Sequence, residues 1–181
     1  MNNIIYGLIT AVIFFLSSFN VNAVEVNFDG ELIDYPCEII SGSPEDVIFL
    51  TRAVKYFHDE PGKTPPQEFT IKLKCDPSIN YWNVVKTRFT GNEEPEMGSL
   101  SNQFLRVSGV NQGFLGISIL DVDGETPVIF GQNTLPVSIV GLDYLDLKFS
   151  AYVQATNKAI ANKLVVAGDY EAIAAFELIY E

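Results

Sequence analysis

Apolar and polar residues alternate one by one along much of this chain, most cleanly at its end. From Tyr170 every second residue is apolar or aromatic: Tyr170, Ala172, Ala174, Phe176, Leu178 and Tyr180. A period of two puts those side chains on one face of a β-strand. Ile173, Ala175 and Ile179 are apolar too, so the pattern leaves open which face meets a partner. The chain stops one residue after Tyr180 with no cap and no polar tail. The edge of such a strand is either covered by another strand or left exposed.

The same period recurs upstream. The stretch Val24–Leu32 puts Val24, Val26, Phe28, Gly30 and Leu32 on one side, and a glycine on an apolar face marks a place of close approach. Residues 33–40 continue it through Pro36, which forces a bend or an edge position. A short strand is expected over 47–50 and a loop over 51–66, where His58, Pro61, Gly62, Pro65 and Pro66 cluster. Further strands are expected over 69–75, 81–89, 105–107, 113–120, 128–130, 135–140 and 144–153, with Asp123-Gly124 turning a hairpin. Residues 90–102 read as a polar loop, and 155–167 as a loop with room for one helical turn. No amphipathic helix longer than two turns and no internal repeat is visible. Short strands at fairly even spacing predict an all-β sandwich.

The 181 residues suit one domain with a core of its own. Residues 1–23 are set apart from it. The apolar run from Ile4 to Leu16 has the length of a signal-peptide core, and Val21-Asn22-Ala23 fits a small-residue cleavage site. Residues 1–23 carry no Lys or Arg, which departs from the usual signal pattern and keeps an uncleaved anchor as the alternative. The net charge of −12 then lies wholly in the mature chain from Val24. Such a charge excludes nucleic acid as a partner and disfavours anionic membrane surfaces. Both cysteines, Cys37 and Cys75, fall in the exported part, where an even count reads as one disulfide.

Candidate chemistry is sparse. Asp121-Val-Asp-Gly-Glu125 has the look of a calcium loop but lacks the later ligands, and an Asp-Gly turn between strands accounts for it. Glu93, Glu94 and Glu96 form an acidic cluster in polar sequence, read as a solvated loop without the apolar surroundings that raise a carboxyl pKa. Trp82 sits at strand spacing, as a core residue does, with a carbohydrate platform as the alternative. One histidine and no nucleophile–base pattern argue against an enzyme, so no catalytic or metal residue, cofactor or small-molecule substrate is assigned.

The two ends of the mature chain resemble the pilin subunits of the chaperone–usher family, which build type 1 and P pili. Phe28-Asp-Gly-Glu-Leu-Ile-Asp-Tyr-Pro-Cys37 is similar to the family's opening motif, Cys75 falls at a later strand end, and Tyr180 and Gly168 match its C-terminal tyrosine and glycine. The middle resembles it more loosely, through Arg88-Phe-Thr-Gly91 and residues 113–124. The resemblance implies an immunoglobulin-like sandwich that is incomplete, missing its final strand, and completed by donor-strand addition. It implies a signal peptide over 1–23, a donor strand over 24–33 carrying Val24, Val26, Phe28, Gly30 and Leu32, and a pilin domain over 34–181. Gly168, Tyr170, Ala172, Ala174, Phe176, Leu178 and Tyr180 become the edge of the acceptor groove. The implied partners are a periplasmic pilus chaperone, an outer-membrane usher and neighbouring pilins, and the implied destination is a cell-surface fimbrium that supports adhesion. The mature chain leaves no space for a tip receptor-binding domain, which favours a minor or adaptor subunit over the main shaft subunit; a base terminator stays open. The reading from another class is a self-contained secreted β-sandwich binding module, lectin-like.

Overall fold

The computed structural model describes residues 32, 34–40, 44 and 46–181. The expected signal peptide lies outside them, as does the expected donor strand apart from Leu32. Ten short strands follow in order: β1 (Cys37–Ile39), β2 (Gln67–Cys75), β3 (Val84–Gly91), β4 (Leu105–Arg106), β5 (Ser108–Gly109), β6 (Leu115–Leu120), β7 (Val137–Ser138), β8 (Tyr144–Ala155), β9 (Tyr170–Glu171) and β10 (Ala174–Tyr180). One helix, α1 (Asn157–Asn162), and 3-10 turns at Val54–Phe57 and Pro95–Gln103 complete the described elements. A five-stranded sheet in the order β1-β2-β8-β6-β4 packs on a three-stranded sheet, β10-β3-β7, while β5 and β9 form a small third sheet. All the strand pairs are antiparallel.

The alternation seen in the sequence sets the core. In β2, Ile71, Leu73 and Cys75 are buried while Lys72 and Lys74 face outward. Leu147 and Phe149 of β8 face the same interior, and Val85 and Phe89 of β3 meet them from the other sheet. Phe89 stands edge-on to Phe149 with ring centroids 5.1 Å apart, and Phe69 stacks on Phe149 at 5.7 Å. Pairs of this geometry add about 0.5–1.5 kcal/mol beyond their buried area.

Several expectations change on contact with the fold. Residues 128–130 form no strand; after the Asp123-Gly124 turn they hold to β6 only through the Leu120–Pro127 bridge and the bond from Val128 N–H to the Ile119 carbonyl. Asp123 accepts from the backbone N–H of Glu125 and Thr126, which makes that motif a turn. Residues 90–102 are more than a solvated loop. They bring Met97 over β6, where a Cβ on Gly116 would stand 2.9 Å from Met97 Cε and 3.1 Å from Phe104 Cβ. This cover explains why every residue of β6 is buried, on both faces, although it lies in an antiparallel sheet. Glu94, read as solvated, is wholly buried; it caps the Pro95–Gln103 turn by accepting from Glu96 N–H at 3.0 Å. The final strand is not continuous from Tyr170. Residues 170–171 pair with β5 and residues 174–180 with β3, so the chain changes sheet at Ala172–Ile173.

Cys37 and Cys75 stand opposite each other in the β1–β2 register and are joined as a disulfide, closing a loop with a sequence separation of 38. Loop-closure entropy makes such a link worth about 4 kcal/mol. Replacing both cysteines by alanine is expected to lower the unfolding free energy by about that amount or less, measured by urea denaturation. Equal stability of the reduced and oxidised protein would contradict it.

Candidate functional site

β10 is paired along one edge only. Its seven residues run in register with β3, from Ala174 opposite Gly91 to Tyr180 opposite Val85. No strand among the described residues pairs with its other edge. Tyr170, Ala172, Ala174, Phe176, Leu178 and Tyr180 all turn toward the core, yet all are only half-buried. The opposite face carries exposed Ala175 and Glu177, the latter held by Arg88 Nη1 at 2.9 Å. The core-facing set is therefore the even-numbered one.

A second rim faces this edge. Residues 46–50 alternate in burial, with Val47 and Phe49 packed on the core and Ile48 and Leu50 exposed. They belong to no sheet. Phe49 approaches Tyr170 with ring centroids 6.3 Å apart. Between the rims lies a groove of about 480 Å³ with a floor of Phe69, Phe89, Leu105, Ile117, Ile119 and Ala151. The floor is the sandwich's own apolar interior, reached from one side. An apolar trough between an unpaired strand edge and a second unpaired segment fits a further β-strand, which can bond to the rims and bury alternate side chains.

The two ends of the groove differ. At one end it opens past Pro44, Asp46, Tyr170 and Ile173, where β9 has left for β5. A side chain on Gly91 there would run into Leu105 Cδ2 and come within 3.1 Å of the Ile173 carbonyl, so the glycine lets the chain cross close to β3. At the other end Tyr180 Oη donates to the Cys37 carbonyl at 2.9 Å, and the Tyr35 ring lies 5.6 Å from that of Tyr180. Burial, with a smaller contribution from Tyr35, pushes the Tyr180 hydroxyl up to about 12. Glu181 is tied down as well. Its carbonyl accepts from Asn83 and Val84 N–H at 2.8 and 3.0 Å, its N–H donates to Val84, and its carboxylate meets Lys86 Nζ at 2.6 Å. The flush end expected from the sequence is thus anchored.

Of the expected edge residues, Tyr170, Ala172, Ala174 and Phe176 line the groove. Leu178 and Tyr180 continue the same face toward the closed end. Gly168 lies outside the groove, where a Cβ would stand 2.5 Å from Val110 Cγ2. Among the donor residues Val24, Val26, Phe28, Gly30 and Leu32, only Leu32 is described, and it is exposed. The sequence does not mark the rim at 46–50 or the contribution of Tyr35 as site features, because Val47–Leu50 is an unbroken apolar run whose alternation shows only in its burial. Elsewhere the polar groups serve structure: His58 Nε2 meets the Val165 carbonyl at 2.8 Å, and Asp121 accepts from Val122 and Leu135 N–H. The described residues hold no group of three or more His, Cys, Asp or Glu placed to bind a metal ion.

Comparison with known proteins agrees with this geometry. Residues 26–181 match the family model described as fimbrial protein. The fimbrial adapter PapK of Escherichia coli is 39% identical over 168 residues, covering 91% of this chain and 92% of the relative. The fimbria A protein of Serratia marcescens is 31% identical, covering 87% of this chain and 84% of its own. Among solved structures, the P pilus rod subunit PapA is similar with a TM-score of 0.65 at 21% identity, over 81% of this chain and 100% of that one. The P pilus adaptor subunit PapF follows with a TM-score of 0.51 at 21% identity, over 81% and 97% of the two chains. At these identities the two structures speak for the fold alone.

The Tyr180 bond gives a test with a sign. A tyrosine raised to about 12 in the folded state, against about 10 when unfolded, keeps its proton better folded. Its contribution is fully present below pH 10 and is lost as the pH climbs through the folded value. Tyr180→Phe is expected to cost about 0.5–1.5 kcal/mol near neutral pH, through the lost hydrogen bond. It should also flatten the alkaline loss of stability between pH 10 and 12. Denaturation curves at pH 8 and pH 11 check both: equal stability at pH 8 would exclude the bond, and identical pH profiles for the two proteins would contradict the burial that raises the hydroxyl.

Proposed function

The chain belongs to the fimbrial protein family, and from that premise we propose that it both receives and gives a β-strand. It is a structural subunit of a chaperone–usher fimbrium, a minor or adaptor pilin that polymerises with other pilins at the cell surface, and it is not an enzyme. On our reading residues 1–23 direct export and are removed, residues 24–33 form the donated strand, and residues 34–181 form the accepting domain. The groove between β10 and residues 46–50 is first held by a strand of a periplasmic chaperone. It is then filled, at an outer-membrane usher, by the donor strand of the next subunit.

One observation carries this reading: the outer edge of β10 faces a second unpaired rim across an apolar floor. Four large donor side chains, Val24, Val26, Phe28 and Leu32, suit that floor chemically. At about 1.5–3 kcal/mol for each fully buried chain, they supply on the order of 6–12 kcal/mol before the cost of ordering. That is comparable with the whole stability of a domain, so a filled groove should open very slowly.

A synthetic peptide with the sequence of residues 24–33 is expected to raise the melting temperature of the protein by several degrees. Ala174→Phe, which puts a large ring into the groove, is expected to abolish that rise. A chain lacking residues 24–33 should keep its fold and its response to the peptide but fail to join fibres as a donor; a self-contained sandwich would instead unfold when so shortened. An equal peptide response in Ala174→Phe and the unaltered protein would place the strand elsewhere.

A further inference from the structure

The groove has a direction, and so does the chain that leads out of the domain. Its closed end is the pole where Tyr180 bonds the Cys37 carbonyl and Tyr35 lies against Tyr180. β1 begins at that same pole and runs from there alongside β2, from Cys37 opposite Cys75 to Ile39 opposite Leu73. The segment before Cys37 therefore joins the domain at the pole opposite the groove's mouth. We infer that a strand filling a neighbour's groove connects outward through the mouth, since at the other end Tyr180, Cys37 and Tyr35 are drawn together.

This inference rests on the strand-exchange reading above. With Val24–Leu32 seated in a neighbour's groove, only Ile33, Asp34, Tyr35 and Pro36 precede Cys37. Four extended residues reach about 13 Å. So short a tether brings the Cys37 pole of the donating subunit to the mouth of the accepting one. The contact is heterologous, pole to mouth, and builds a filament rather than a closed ring.

Both surfaces leave apolar groups exposed, although Ile139 and Trp82 at the first of them also pack on the core. At the Cys37 pole a pocket of about 230 Å³ is lined by Pro36, Ile79, Trp82, Ile139 and Val140. Val140 remains 64% exposed, and Tyr81, beside Trp82 in the chain, is 83% exposed. At the mouth Ile173 is 85% exposed. We propose that the pole around Tyr81, Trp82 and Val140 is a second docking face, which takes the mouth rim of the subunit accepting the donor strand. Consecutive domains then pack against each other instead of hanging on the strand alone. The occupant is a chain of the same fold, represented in the test by a second copy of this one.

The test separates the body contact from the strand. Full-length protein is allowed to form pairs, and their dissociation is followed for the unaltered chain and for Tyr81→Asp and Val140→Asp. Both positions are exposed, so the domain keeps its fold in each variant. The peptide of residues 24–33, which brings a strand without a body, serves as the second readout. The expected result is pairs that dissociate about tenfold faster or more when a carboxylate enters the apolar contact, with an unchanged melting response to the peptide. Pairs of unchanged lifetime in both variants overturn the docking face while leaving the groove reading intact. Peptide binding without any pair formation does the same. Failure of the peptide to stabilise the unaltered protein removes the groove reading, and this inference with it.

Discussion

An antiparallel sandwich is stable when each sheet covers the other, and here the cover is incomplete at one edge. The floor of Phe69, Phe89, Leu105, Ile117, Ile119 and Ala151 belongs to the core, yet it lines an open groove. Everything distinctive about the molecule follows from that gap. The half-buried state of β10's inner face follows, since Ala174, Phe176 and Leu178 pack on a core that stops beside them. So does the lack of a sheet partner for residues 46–50, whose side chains are already placed as though a strand lay next to them. Leaving apolar area and strand edges in water is unfavourable on both counts. A partner strand corrects both at once, because its backbone meets the rims while its side chains fill the trough.

The gap is usable because the structure around it is firm. The disulfide joins β1 to β2 at one pole, and Tyr180 ties the last strand to Cys37 at the same place. Glu181 adds backbone bonds to Asn83 and Val84 and an ion pair to Lys86. Exposed ion pairs are worth little alone, but the backbone bonds hold β10 to β3 through its last residue. The rim that receives a strand is thus fixed at its far end, and at its near end it breaks off where the chain changes sheet at Ala172–Ile173. That asymmetry gives the groove its direction, and through it a direction to any assembly the groove supports.

Much of this was legible in the sequence, because a period of two is a direct statement about which side chains share a face. The assignment of Tyr170, Ala172, Ala174 and Phe176 to one face needed nothing more, and neither did the sandwich. The failures have a common cause: they depend on what covers an element from outside. Residues 90–102 looked solvated because they are polar, yet Met97 within them closes over Gly116, beside Phe104 just after them, which packs on Tyr152. Glu94 looked like a surface charge, yet it is wholly buried, with Oε1 accepting from Glu96 N–H. The break at Ala172–Ile173 leaves no mark in the pattern because alternation continues through it. Period cannot show that Tyr170 bonds to β5 while Ala174 bonds to β3.

The strong acidity of the chain bears on the same gap. An exposed edge and an apolar trough invite indiscriminate strand pairing, which proteins commonly suppress with charge at the edge. A net charge of −12 makes every chance encounter between two copies repulsive at range, although screening confines this to about 8–10 Å at ordinary salt. Within the groove that repulsion has little purchase, because its floor is entirely apolar and the bonds to an incoming strand are made by backbone groups. Charge therefore raises the threshold for contact without weakening the contact once made. A segment that matches the trough over several residues passes that threshold, and a shorter or poorly matched one does not. Selectivity of this kind needs no specific side-chain recognition at the rims, only an apolar floor of fixed length in an acidic body.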